Sequence, residues 1–102
     1  LTPTEITTAW HAGATGVKVF PSMALGGSEY IRHLQGPLGH IPLIPTGGVT
    51  LQNAGALIAA GAIAVGLGGD LMPQSAVSQQ NWLEITQRMQ HVLRSLPTQV
   101  VH

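Results

Sequence analysis

Lys18 is the single lysine of the chain, and it stands between Val17 and Val19 in the run Gly16-Val17-Lys18-Val19-Phe20-Pro21. Burial disfavours an ammonium ion, so an amine sheltered in an apolar strand can be neutral near pH 7 and can condense with a ketone. That is Schiff-base chemistry. The competing reading is a lysine that lays its stem along the strand and keeps its charged head in water. Local sequence leaves both open.

Thr46-Gly47-Gly48 follows one apolar run and precedes a helical one, and Gly68-Gly69-Asp70 does the same one unit later. Glycines let the backbone approach an anion closely, and unpaired amides donate to it. Two such turns on successive parallel strands would lie side by side. In many barrels the phosphate site comes from the last two strand-to-helix loops and a short extra helix, here expected at Asp70 to Met72. Either turn alone reads as an ordinary tight turn; the consecutive pair favours phosphate. Asp70 would repel that anion unless its carboxylate points away.

The other polar residues offer less. His11, His33, His40, His91 and His102 show no i,i+4 pair and no carboxylate in ligand spacing, so solvated positions explain them better than a metal site. No metal and no cofactor is expected. Glu5 is accounted for by helix capping, and Glu29 and Glu84 fall on helix surfaces. Trp10 and Trp82 read as packing residues. Nothing resembles a Ser/His/Asp or Cys/His constellation.

These residues need elements to hold them. Thr2-Pro3-Thr4-Glu5 is a capping box with proline at the first helical position, predicting a helix to about Ala12. Residues 16–21 suit a buried strand. Ser28 opens a second helix that Gly36-Pro37 should end, and residues 41–45 form a second strand restricted by its prolines. Thr50 or Asn53 caps a third helix, Ala54 to Ala60, and Ala62 to Leu67 makes a third strand. Trp82, Ile85, Met89, Val92 and Leu96 recur near the helical period, predicting an amphipathic terminal helix over about 78–96, which Pro97 stops before a short frayed tail. The units repeat every ~21–25 residues without a hairpin turn, so the strands are parallel and the crossovers right-handed.

Composition narrows the class. Of 102 residues 44% are hydrophobic and 8% charged, with four Lys+Arg against four Asp+Glu and no Cys. That leaves no basic stripe for nucleic acid or anionic lipid, no disulfide framework and no membrane-spanning run, so neither nucleic acid nor membrane is an expected partner and a cytoplasmic setting is the default. A free-standing domain of this size carries nearer 25% charge. The alternation fits a (β/α)8 barrel or a doubly wound sheet, and a barrel needs roughly 200–250 residues. An isolated three-stranded parallel sheet would expose unpaired edges. The expectation is therefore one partial domain over residues 1–102, the last units of a barrel.

The order Val17-Lys18-Val19-Phe20-Pro21, Gly26-Gly27, Tyr30-Ile31, Gly36-Pro37, Ile41-Pro42 and Pro45-Thr46-Gly47-Gly48-Val49 resembles the 2-dehydro-3-deoxy-6-phosphogluconate / 4-hydroxy-2-oxoglutarate aldolases. The likeness runs from Thr2-Pro3-Thr4-Glu5 through Leu71-Met72-Pro73. It implies an α/β fold, the C-terminal part of a (β/α)8 barrel over about strands 6–8, and a metal-free class I aldolase. Lys18 on the sixth strand would attack the ketone of a small 2-keto-3-deoxy acid. Thr46, Gly47 and Gly48 match the seventh-strand turn that holds phosphate, and Gly68 and Gly69 match the eighth-strand loop. The family is typically a homo-oligomer, a trimer. Where this chain has Gly69 the family commonly has Ser, which removes a hydroxyl donor and makes non-phosphorylated 4-hydroxy-2-oxoglutarate more plausible as substrate.

The resemblance also implies that the general-base glutamate and the carboxylate-binding arginine come from strands with no counterpart here, so these residues alone should be inactive or nearly so. Two alternatives stay open. One is a non-catalytic phosphate-binding half-barrel or association module. The other is the related 2-dehydro-3-deoxy-6-phosphogalactonate aldolase, which shares the lysine strand.

Overall fold

The capping box forms as the sequence dictates. Thr2 Oγ1 accepts from the Glu5 amide, Glu5 Oε1 accepts from the Thr2 amide at 3.0 Å, and helix α1 runs from Pro3–His11. The structure is a computed structural model that describes residues 1–97; the expected tail and His102 lie outside them. Strand β1 (Val17–Val19) follows, then a 3-10 turn (Ser22–Leu25), helix α2 (Ser28–Leu38), strand β2 (Leu43–Pro45), and helices α3 (Ala54–Ala59), α4 (Gln74–Ser78) and α5 (Trp82–Ser95).

β1 and β2 pair in parallel, with Val17 opposite Leu43, Lys18 opposite Ile44 and Val19 opposite Pro45. Their alternation decides what is covered. Val17, Val19 and Leu43 turn one face into a core shared with Ile6 of α1, Ile31 of α2 and Leu57 of α3. Lys18, Phe20 and Ile44 occupy the other face, which no element among the described residues covers. Parallel sheets are ordinarily covered on both faces; this one is covered on one.

The expected third strand over residues 62–67 is reduced to a single bridge between Thr46 and Gly66. The segment does lie beside β2: Ile63 N–H donates to the Leu43 carbonyl at 3.1 Å and Gly66 N–H to the Pro45 carbonyl at 2.9 Å. A ladder needs return bonds from β2, and Pro45 has no N–H to give.

Helix boundaries depart from expectation in three places. α2 continues through Gly36-Pro37 to Leu38, because Pro37 removes only one donor near the helix end while the half-buried Leu38 packs on the core. The short helix expected at Asp70 to Met72 is a turn, with Leu71 and Met72 amides both donating to the Gly68 carbonyl. The terminal helix starts at Trp82 instead of 78. Gln80 adopts a positive φ of 55°, which breaks the chain between α4 and α5, and the Asn81 side chain then accepts from the Glu84 amide.

α5 buries Val92 but leaves Met89 and Leu93 exposed, and Trp82, expected to pack, is 57% exposed. Trp10 does pack, half-buried against the core and edge-on to His40 with ring centroids 6.3 Å apart. No helix among the described residues is long and apolar enough to cross a membrane.

Candidate active site

Lys18 sits at the middle of β1, fixed there by the burial of its two valine neighbours. Its side chain is exposed, so of the two readings open in the sequence the amine is not the one sheltered from water: the covering layer that would desolvate it is absent among the described residues. The ring of Phe20, two residues on and therefore on the same face, has its centroid 5.2 Å from Nζ.

The same ring forms a wall of the glycine turn. A Cβ on Gly47 would stand 2.8 Å from two Phe20 ring carbons, so the ring lies flush against the backbone at this point. Gly47 and Gly48 have φ of 87° and 75°, a left-handed conformation that only glycine adopts without strain. The turn is held from below by Ser22, fully buried, whose amide donates to the Thr46 carbonyl at 2.8 Å and whose hydroxyl donates to the Gly47 carbonyl at 3.2 Å. Thr46 itself is joined to both neighbours: its amide donates to the Val19 carbonyl at 2.9 Å, and its hydroxyl would be 2.6 Å from any Cβ at Gly66.

Beyond the turn, Thr50 and Asn53 exchange bonds. The Thr50 amide donates to Asn53 Oδ1 at 2.8 Å and the Asn53 amide to Thr50 Oγ1 at 3.1 Å; Asn53 is the N-cap of α3, and its side chain bonds back to the turn and not to the helix amides. Asn53 Nδ2 also donates to the Gly48 carbonyl at 3.0 Å.

The two glycine turns come together as expected. Thr46, Gly47, Gly48, Gly66, Gly68 and Gly69 line a cleft of about 520 Å³ with Phe20 at one edge. The amides of Gly48, Gly68 and Gly69 meet no protein acceptor among the described residues. The cleft lining holds no Lys, Arg or His. Asp70, the one charged lining residue, turns its carboxylate aside: Oδ2 accepts from the Leu51 amide at 2.7 Å, and Arg88 Nη1 lies 3.9 Å from Oδ1.

Sequence reasoning did not assign Phe20, Ser22 or Asn53 to the site. Phe20 was legible only as strand periodicity, and nothing local says that Ser22 or Asn53 would brace glycine carbonyls. No group of three or more His, Cys, Asp or Glu among the described residues could hold a metal ion.

Two parallel strands with helices packed on one face, β2 leading directly into the Gly47-Gly48 turn, define an α/β protein, and in such sheets ligands bind outside the carboxyl ends of the strands. A model of the KDPG and KHG aldolases matches residues 1–88, KDPG being 2-dehydro-3-deoxy-6-phosphogluconate and KHG 4-hydroxy-2-oxoglutarate. A 2-dehydro-3-deoxy-phosphogluconate aldolase of Haemophilus influenzae is 32% identical over 89% of this chain and 43% of that protein. A 2-dehydro-3-deoxy-6-phosphogalactonate aldolase of Escherichia coli is 45% identical over 69% of this chain and 34% of that protein. Among solved structures, a KDPG aldolase from Legionella pneumophila, described with pyruvate captured at low pH as a covalent carbinolamine intermediate, superposes with a TM-score of 0.76. It is 26% identical and covers 89% of this chain and 44% of that one. The chain belongs to the KDPG and KHG aldolase family, and its α/β fold is similar to theirs. It spans less than half the length of the relatives it matches.

Proposed function

We propose that this chain supplies the nucleophile and the phosphate cradle of a class I aldolase acting on a 2-keto-3-deoxy-6-phospho sugar acid or on 4-hydroxy-2-oxoglutarate. In this reading it forms the sixth to eighth strand units of a (β/α)8 barrel within one domain. One observation carries it: Lys18 Nζ and the Gly47 turn flank the same Phe20 ring, so an amine and an anion cleft open on one side of the sheet.

Lys18 Nζ attacks the C2 ketone, and loss of water from the carbinolamine leaves a protonated imine. The imine takes up the electron pair of the C3–C4 bond as it breaks, while the C4 hydroxyl gives up its proton to a base. The aldehyde leaves, the resulting enamine is protonated at C3, and hydrolysis of the imine releases pyruvate and the free amine. The amides of Gly48, Gly68 and Gly69 hold the substrate's phosphate, with Thr46 and Gly47 shaping the wall. The carbinolamine described for the Legionella relative supports the covalent step.

The described carboxylates do not serve as the base. Glu5 caps α1, Asp70 is bonded to Leu51, and Glu29 and Glu84 lie on helices. As the family resemblance implies, proton transfer belongs to a glutamate on strands with no counterpart here. The similarity to both gluconate- and galactonate-type relatives keeps the C4 configuration open between the two epimers. Exposed Ile63, Met89 and Leu93 line an apolar groove of about 640 Å³, which supports association as a trimer, the habit that the resemblance implies.

Incubation with pyruvate and borohydride tests the nucleophile. The expected result is a covalent adduct on the peptide carrying Lys18, absent in Lys18→Met; no adduct in the parent refutes the assignment. The openness of Lys18 favours a second reading, a phosphate-binding module without chemistry. That reading predicts phosphate affinity that survives Lys18→Ala and no trapped imine in either protein.

A further inference from the structure

Asp70 is the one charged residue lining the cleft, and its own bonds explain how an anion site tolerates it. Its Oδ2 accepts from the Leu51 amide, 19 residues away in the chain, at 2.7 Å. From the other side Arg88 of α5 donates through Nη1 to the Asp70 carbonyl at 2.8 Å, with the same nitrogen 3.9 Å from Oδ1. Leu51 closes the segment that begins at Gly47-Gly48, and Asp70 directly follows Gly68-Gly69. One carboxylate thus ties the two glycine turns together. No other side-chain hydrogen bond among the described residues joins these two segments.

We propose that Asp70 is a positioning residue for anion binding: clasped to Leu51 and backed by Arg88, it sets the distance between the two glycine turns and keeps its charge out of the cleft. This rests on the phosphate reading of the cleft given above. The geometry separates two effects of Asp70. As a charge beside the site it repels an anion, and its removal would tighten binding. As a clasp it brings the Gly48, Gly68 and Gly69 amides to one point, and its removal loosens binding. The two predict opposite signs for Asp70→Ala. Asp70→Asn keeps an oxygen to accept from Leu51 while losing the charge, so it preserves the clasp.

The test is a titration of the ¹⁵N-labelled 102-residue chain with inorganic phosphate at fixed pH and ionic strength, read at the amides of Gly48, Gly68 and Gly69. Hydrogen exchange of the Leu51 amide is followed in the same samples. Asp70→Ala should weaken phosphate binding about tenfold, equivalent to ~1.4 kcal/mol, and should speed Leu51 exchange. Asp70→Asn should bind within about twofold of the parent. Asp70→Ala binding phosphate as tightly as the parent, or more tightly, overturns the proposal, as does unchanged Leu51 exchange in that variant.

Should Asp70→Ala fail to fold, Arg88→Met decides. It removes the donor to the Asp70 carbonyl far from β1, so the Val17 and Val19 amide signals should stay in place while phosphate binding weakens; unaltered binding overturns the clasp. A parent chain that binds no phosphate defeats the phosphate reading itself. Leu51 exchange in Asp70→Ala then still reports whether the carboxylate joins the two loops.

Discussion

Replacing Gly47 by Ala tests the joint between the lysine strand and the anion cleft. Two costs add. At φ 87° an L-residue is strained by ~1–2 kcal/mol. The new Cβ would stand 2.8 Å from Cδ2 and Cε2 of Phe20 and 3.1 Å from Pro21 Cα, against an ordinary carbon contact of ~3.5 Å or more. The ring, 55% exposed, would have to swing aside by about 0.7 Å at little cost, while the Pro21 backbone would have to give by a few tenths of an ångström, overpacking worth ~1 kcal/mol. The sum is ~2–3 kcal/mol, a large part of the ~5–15 kcal/mol that holds a domain together. Gly69→Ala is the control. It lines the same cleft, lies outside the left-handed region, and its Cβ would meet nothing within 4 Å, so its cost should stay within ~0.5 kcal/mol. Urea denaturation followed by far-ultraviolet circular dichroism measures both. Gly47→Ala should also lower Tm by at least ~10 °C. If the two variants unfold within ~0.5 kcal/mol of each other, the ring does not brace the turn and the coupling of Lys18 to the cleft through Phe20 is wrong.

Two further expectations concern charge and hydroxyl donors. Gly69→Ser places a donor in open space at the cleft wall, and phosphate affinity measured by the same amide titration should rise several-fold, about 0.5–1.5 kcal/mol for one added hydrogen bond; an unchanged affinity would remove Gly69 from the site. The Glu5 carboxyl is held down to about 2 from its ordinary 4.5, first by the Thr2 amide and then by the Thr2 hydroxyl. Because its folded pKa is depressed, its stabilisation of α1 is complete above pH ~4.5 and is lost as pH falls through about 2. A ¹³C titration of Glu5 with a midpoint near 4.5 would contradict this, and Glu5→Gln should abolish the acid-induced fraying of α1.

Much of the scaffold was legible because it is written in local spacing. The capping box at Thr2 and Glu5, the apolar alternation around Lys18, and the positions of β2 and α3 all follow from residue type within one or two turns of chain. Family membership was legible for the same reason, since the Lys18 strand and the Pro45-Thr46-Gly47-Gly48 turn are continuous motifs.

What tertiary structure decided depends on partners that sequence order does not name. Alternation says that Lys18 faces away from Val17 and Val19, but whether that face is dry depends on a second covering layer, and here it is open. Residues 62–67 have the composition of a strand, yet Pro45 on the neighbouring strand has no amide to complete a ladder. Asp70 is an acid beside an anion cleft in the sequence; only the fold brings the Leu51 amide and Arg88 to it and turns its charge aside. A strand's pattern fixes which way its side chains point, while burial, pairing and charge compensation are set by whatever the rest of the molecule brings within reach.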